Sequence, residues 1–487
     1  MRTDAISQNS ALKSIFVISN PFAGMTNIQR SYLVVFVLSS VVCWSPSKAL
    51  PYVVPFVSVF WIFITTRKIV LYKKLLILTV IWGIWFICGF ISNPDFIIRN
   101  GLLAIVTYGS FYLPFLIPSR YLSSNILYKR IAQILVIIII FQSSVGLVQV
   151  VYGFLSSGSF DVSNGDYIEG TIDISLMKQP GFETPIFAIN MAMTLIALLP
   201  FILIFRRWWW FLPFLFGTTI LVLSSVLHAL LFLLIAFTIS FFFINPVALS
   251  SKRVAIAALF ITLVLFLMLI LMLIFLPTNL SSITIQLERF IRFENPKAIL
   301  FQRLFSVVPE VYPLSPYVGL GPGQFTSRAS LIGSGYYIGG IENPRALPYL
   351  RPMVSKAVED YLLDLWRRLI GWPGSAGSTL RPFSSWLSVI SEAGVIGAFI
   401  ILFLLLLYLA KVKRHTRFKG TRIYAFSIVS GLLFLFLLGV QENYWEIPQS
   451  ILVGCLLLKV LSANFFYGSK GTPFASELNR ERITGII

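Results

Sequence analysis

The chain has 487 residues, of which 57% are hydrophobic and only 12% charged, and its mean hydropathy is +0.86. A water-soluble globule would be about half apolar and a quarter charged, so this composition excludes one and points to a polytopic membrane protein. The formal net charge of +19 has its simplest source in lysines and arginines that hold loops on the cytoplasmic side, which leaves almost no weight for nucleic acid as a partner.

The first thirty residues are mixed and polar, with a short apolar patch around Ile15 to Ile18 and no cleavable signal pattern. A bilayer core takes about 20 apolar residues per helix. Twelve stretches meet or approach that length: 31–47, 49–66, 71–92, 101–118, 131–153, 185–205, 208–223, 226–244, 254–277, 384–410, 423–440 and 449–465. The run 208–244 is too long for a single crossing and is expected to turn near Ser224 and Ser225. The chain thus reads as an all-α polytopic membrane protein with nine helices in 1–277, one large outer loop or lid at 278–383, three helices in 384–465 and a tail at 466–487.

Basic residues set the expected orientation. With the N-terminus inside, the segments 1–30, 67–74, 119–130, 206–207, 252–253, 411–422 and 466–487 carry most of the lysines and arginines outside the long loop, whereas the short outer loops carry only Lys48, Arg99 and Lys178. That asymmetry predicts both termini in the cytoplasm. The three cysteines, Cys43, Cys88 and Cys455, fall inside apolar runs without metal or redox spacing and read as small core residues.

Three groups of residues suggest chemistry. The segment KQPGFETP places Lys178, Gly181 and Glu183 immediately before a membrane helix, and an ionisable residue at membrane depth is costly enough to be a functional candidate. The long loop carries Arg289, Arg292, Arg303, Arg328, Arg345, Arg351, Arg367, Arg368 and Arg381 around the turn YVGLGPGQF, with Gly319, Gly321 and Gly323 two apart. Arginine predominates over lysine there, and its planar fork binds phosphate oxygens bidentately. The glycine spacing does not match a nucleotide loop; glycines so placed mark a tight turn or a close backbone approach. The loop is expected to hold two amphipathic helical stretches, QLERFIRFENPKAILFQRLFSVV and SKAVEDYLLDLWRRLIGW. The chain then re-enters the membrane through RPFSSWLSVISEAGVIGAF, where Ser384, Ser385, Ser388 and Ser391 precede Glu392, and a late outer loop adds Glu442, Tyr444 and Glu446. The histidines are His228 and His415, and no HExxH, CxxC or DxD pair occurs, so neither metal nor cofactor is expected.

The order of these pieces resembles the O-antigen polymerase and O-antigen ligase superfamily. The resemblance rests on KQPGFETP before a helix, the basic stretch around Arg303 leading to G-x-G-x-G-x-F, and SSWLSVISEAGVIG, and it covers roughly 175–405. This chain has Pro382, Phe383 and Ser384 where the ligase pattern has a histidine, and SSVLHALL, with His228, where the family usually has S-R-G. The departures favour the polymerase branch.

The resemblance implies a GT-C-like fold in the bacterial inner membrane with the active site facing the periplasm. It implies glycan transfer from undecaprenyl diphosphate to a sugar hydroxyl of another lipid-linked repeat unit, with a chain-length regulator as a further partner. In that reading Arg303 and Arg292, with Lys178 opposite, neutralise the diphosphate. Arg289, Arg328, Gly319, Gly321, Gly323, Ser384 and Ser385 line its site. Glu183 is the first choice of general base and Glu392 the second. The alternatives are ligase-type transfer to lipid A core or protein, and a transporter or flippase of lipid-linked glycans, for which paired inverted repeats would be expected.

Overall fold

A computed structural model describes residues 22–66, 69–157, 168–173, 183–205, 208–224, 226–244, 288–345, 351–370, 383–416 and 422–468, with residues 270 and 285. Lys178, Gly181, Arg381, all but residue 270 of the span expected at 254–277 and nearly all of the tail lie outside the described residues. Among the described residues the secondary structure is entirely helical, and seven helices are long and apolar enough to cross a membrane.

In chain order the first half comprises α1 (Asn27–Cys43), α2 (Leu50–Thr66), α3 (Ile69–Ser92), α4 (Ile98–Thr107), α5 (Gly109–Leu116), α6 (Asn125–Ser157), α7 (Thr184–Phe205), α8 (Phe211–Leu223) and α9 (Leu227–Ile244). Local sequence explains several of their ends. Thr26 and Gln29 form a reciprocal capping box at the start of α1. The split at Ser224 between α8 and α9 follows the expected turn. The stretch 101–118, expected as one helix, is two: Tyr108 ends α4 and precedes α5, and Pro114 lies inside the short second piece.

The helices divide by burial. The apolar windows of α7 and of the last helix, α19 (Pro448–Tyr467), are 94% and 89% buried, whereas those of α3 and α17 (Ser385–His415) are 17% and 11% buried. The first two form the centre of the bundle, and the others present apolar side chains such as Leu76, Ile91, Phe399 and Leu404 outward, which is stable where lipid replaces water. Polar cross-links tie the centre together. Tyr32 donates to the Leu456 carbonyl at 2.7 Å, Tyr128 to the Ala197 carbonyl at 2.9 Å, and Asn190 to the Gln449 carbonyl at 2.6 Å. Such interhelical bonds contribute on the order of 0.6 kcal/mol each.

The long loop folds as α10 (Pro296–Ser306), α11 (Val308–Val311), α12 (Ser315–Val318), α13 (Arg328–Gly333), α14 (Tyr336–Gly339), α15 (Lys356–Tyr361) and α16 (Leu363–Ile370). The two amphipathic stretches turn their apolar faces on one another. Leu300, Leu304 and Val308 meet Leu362, Leu365, Trp366 and Leu369 in a core of their own, with Phe325 from the glycine turn and Phe383 and Leu387 from the re-entry to α17. α17 and α18 (Arg422–Gln441) then lead to α19.

One backbone feature joins loop to bundle. Inside α17, Gly394 has φ 69° and ψ −177°, so the helix kinks there. A Cβ at Gly394 would sit 2.0 Å from the Tyr317 carbonyl oxygen, and one at Gly319, φ 77°, would sit 2.2 Å from the Glu392 carbonyl carbon. The two segments interlock through glycines because no side chain fits between them. Gly394→Ala is therefore expected to lower the melting temperature of the detergent-solubilised protein strongly. The control is Gly83→Ala in α3, where an added Cβ meets nothing within 4 Å and about 0.5–1 kcal/mol of helix propensity is gained. Equal melting of the two variants would remove the interlock.

Candidate functional site

Glu392 lies at the kink of α17 with its side chain fully buried. Its carboxylate accepts three backbone N–H groups from the glycine turn: Gly323 at 2.7 Å on Oε2, and Phe325 at 3.0 Å and Ser327 at 3.1 Å on Oε1. The kink also leaves main-chain carbonyls free, and these are filled from elsewhere. Leu320 N–H donates to the Ser391 carbonyl, while Gly321 N–H and the Trp85 indole both donate to the Glu392 carbonyl. On the other side of the turn, the Ser92 hydroxyl donates to the Gly319 carbonyl at 2.5 Å and Asn93 to that of Leu320 at 3.3 Å. The expected phosphate-holding turn is thus a carboxylate-holding turn: the N–H groups of Gly321 and Gly323 are taken by Glu392, and that of Gly319 by the Ser315 carbonyl. Glu392, expected as a reserve base, spends its oxygens on the backbone.

A second buried carboxylate stands beside it. Glu446, in the loop between α18 and α19, accepts Asn443 Nδ2 at 2.7 Å on Oε1, and the Thr107 hydroxyl at 3.0 Å and Ala329 N–H at 3.3 Å on Oε2. The break between α4 and α5 falls next to Thr107, and Ala329 lies in the first turn of α13. Burial pushes the Glu446 carboxyl above its ordinary range, against the pull of these donors. Asn443 also donates to the Ser388 hydroxyl at 3.2 Å, one turn before Glu392. Next to Asn443, Tyr444 shares a 2.9 Å hydrogen bond with His228 Nε2 of α9.

The third acid has a different setting. Glu183 sits at the N-terminus of α7, 4% exposed, with the Lys48 ammonium 2.8 Å from Oε1. Its N–H donates to Glu169 Oε1 at 2.8 Å, and residues 168–173 are held by Gln142 and Gln149 of α6. Glu183 Oε2 is buried with no hydrogen-bond partner among the described residues. Burial alone would lower the Lys48 ammonium, but the Glu183 carboxylate outweighs it and holds Lys48 above its ordinary range. Arg328 and Tyr337 also act electrostatically on Lys48. Arg328 is buried, donates to the Tyr337 hydroxyl, and stacks over the rings of Tyr337 at 4.3 Å and Tyr52 at 6.0 Å. Glu183, Lys48, Arg328, Tyr52 and Tyr337 are therefore one cluster at the loop end of the bundle.

Several expected residues have other partners. Arg303 forms a two-pronged pair with Asp364, 2.7 and 2.8 Å, and donates to the Tyr361 carbonyl. It clamps α10 to α16. The hydrogen bond from Arg303 first, and its charge after burial's opposing effect, hold Asp364 below the usual carboxylate range; the pair therefore stabilises at neutral pH and ceases to as pH falls through that lowered value. Arg292 pairs with Glu288 one turn away, both exposed, an arrangement of little energetic weight. Arg289 is half-buried and its carbonyl ends that turn on Glu294 and Asn295. Ser384 caps α17 through Leu387 N–H, and the Ser385 hydroxyl donates to the Glu442 carbonyl and accepts Trp445 N–H. Lys48, Tyr52, Thr107, Glu169, Tyr337 and Asn443 were not among the expected site residues. Lys48 carries the one usable signal, as a lone cation in a short loop expected to lie outside. Among the described residues no group of three His, Cys, Asp or Glu side chains could hold a metal ion.

A scan of protein-family models finds none that matches this chain, and a comparison with curated proteins finds no match.

Glu392→Gln replaces one acceptor oxygen by an amide donor facing buried N–H groups, so at least one of the three is left unpaired, at about 1–3 kcal/mol. A lower melting temperature and faster tryptic cleavage near Arg328 and Arg345 are the expected outcomes. Unchanged melting and digestion would mean that the carboxylate does not fasten the turn.

Proposed function

We propose that this chain is a polymerase of lipid-linked polysaccharide repeat units, moving a growing glycan from undecaprenyl diphosphate to a sugar hydroxyl of another lipid-linked unit at the outer face of a bacterial inner membrane. The observation that carries the reading is the cluster in which Lys48 pairs with the buried carboxylate of Glu183, whose Oε2 has no partner among the described residues, and Arg328 acts electrostatically on Lys48. Glu183 belongs to the KQPGFETP element and Arg328 follows the glycine turn, so two elements of the superfamily resemblance meet in one place.

The chemistry follows from charge. The acceptor hydroxyl oxygen attacks the anomeric carbon, the bond from that carbon to the diphosphate breaks with its electron pair leaving on the diphosphate, and the hydroxyl proton goes to Glu183. Lys48 and Arg328 stabilise the departing diphosphate, and the Arg328 fork is held in place by Tyr337 and Tyr52. Lys48 pairs with Glu183; in this reading a diphosphate competes for the ammonium and bares the carboxylate where a base is needed. Arg303 and Glu392 hold the loop, and the diphosphate role passes to Arg328 and Lys48.

The proposal carries twelve spans, a GT-C-like arrangement, and both termini in the cytoplasm. With the native cysteines replaced, a membrane-impermeant thiol reagent is expected to label Glu342→Cys but not His415→Cys in intact spheroplasts. The reverse pattern would overturn the orientation.

Glu183→Gln keeps shape and loses basicity, so turnover of lipid-linked repeat units into a gel ladder should fall by about two to four orders of magnitude while donor binding persists. Arg328→Lys, which keeps the charge and loses the fork, should weaken donor binding. Ladders formed by Glu183→Gln at the wild-type rate would take Glu183 out of the mechanism.

A further inference from the structure

Two lysines at the opposite end of the bundle take no part in this site. Lys74 lies near the start of α3, whose far end, at Gly89 and Ser92, touches the glycine turn; the intervening helix is about 27 Å long at 1.5 Å per residue. Lys459 lies in α19, about 16 Å along the helix from Pro448 and the Glu446 loop. Both ammonium groups converge on one acceptor, the Phe115 carbonyl near the end of α5: Lys74 Nζ at 2.9 Å and Lys459 Nζ at 3.2 Å.

Lys459 is buried at 6% exposure, and Lys74 is half-buried. Among the described residues no carboxylate is ion-paired with either. One neutral carbonyl and the face of the Phe115 ring, 5.9 Å from Lys459 Nζ, do not compensate two cations that repel each other in a medium of low dielectric. Basic pockets between membrane helices at the headgroup level are suited to lipid phosphate. The surrounding faces are apolar and outward-turned: Leu75, Leu76 and Ile77 follow Lys74 and are exposed, so an acyl chain can lie against α3 while its headgroup reaches the lysines.

We infer that Lys74 and Lys459 form a binding site for the phosphate of an anionic phospholipid in the leaflet remote from the long loop. The phosphate oxygens bridge the two ammonium groups, replacing the shared carbonyl as their main acceptor, and fasten α3, α5 and α19 together at that end. The inference rests on the membrane placement of the helices and is independent of the reaction proposed above.

The test uses the full chain in nanodiscs of phosphatidylcholine with or without phosphatidylglycerol, and native mass spectrometry of the protein released from them. The wild-type protein should retain phosphatidylglycerol in preference to phosphatidylcholine and melt at a higher temperature in its presence. Lys459→Met and Lys74→Gln should each reduce the retained phosphatidylglycerol by about five-fold, with phosphatidylcholine unchanged, and Lys459→Arg should restore it. Equal retention by wild-type and variant proteins would overturn the site. Stabilisation of the wild-type protein by inorganic phosphate, equal to that by phosphatidylglycerol, would assign the site to a free anion and overturn the lipid. If Lys459→Met does not fold, the wild-type melting comparison decides alone: no difference between the two nanodisc compositions overturns the proposal.

Discussion

The carboxylate of Glu392 is the point on which the loop-bearing half of the molecule hangs. Burying an ionisable side chain costs several kcal/mol unless its oxygens are filled, and here three consecutive alternate N–H groups of the glycine turn fill them. The demand runs both ways, since those N–H groups would be buried and unpaired without the acid. Ser327, the last donor, also caps α13 through its hydroxyl, and the next residue is Arg328. The position of the arginine in the candidate site is therefore set one residue away from the strongest anchor in the loop.

Three of the buried acids divide the work according to what surrounds them. Glu392 and Glu446 give their oxygens to N–H and O–H donors of the protein: Glu392 ties α17 to the turn that runs into α13, and Glu446 ties the 442–447 loop to α13 and to Thr107 of α4. Glu183 shares one oxygen with an ammonium and keeps the other unfilled among the described residues. Among the arginines, a carboxylate fills the fork of Arg303, while Arg328 is bonded to Tyr337 and framed by two tyrosine rings beside a second cation. Chemistry is proposed where Glu183 keeps an oxygen unfilled among the described residues, and architecture is found where the carboxylate oxygens are filled.

What sequence alone could reveal follows from the range of each signal. Apolar runs such as 185–205 and 449–465 declare themselves because hydropathy accumulates over a whole span, and their bounds agree closely with α7 and α19. The break at Tyr108 left no such trace, since both halves are equally apolar and the interruption is one residue long. Gly319, Gly323 and Glu392 were all conspicuous, yet nothing local says that an acid sixty-nine residues later accepts the N–H of Gly323. Arg303 looked like a phosphate ligand because its partner Asp364 lies sixty-one residues away on the other amphipathic stretch. Composition told that these groups are expensive to bury; only the packing told what compensates each one.

The kink at Gly394 has a consequence for biogenesis. The glycine turn leaves the ribosome well before α17 does, and α3, which supplies Trp85, Ser92 and Asn93, is made earlier still. Until α17 has entered the bilayer and broken at Gly394, the carbonyls of Ser391 and Glu392 and the Glu392 carboxylate do not exist as acceptors, so the turn has no seat. Docking of the loop is thereby deferred to a late step in assembly, when the first and last thirds of the chain are both in place. The interlock waits on α17: a chain that stops short of it leaves the loop's buried donors open to water and to proteolysis.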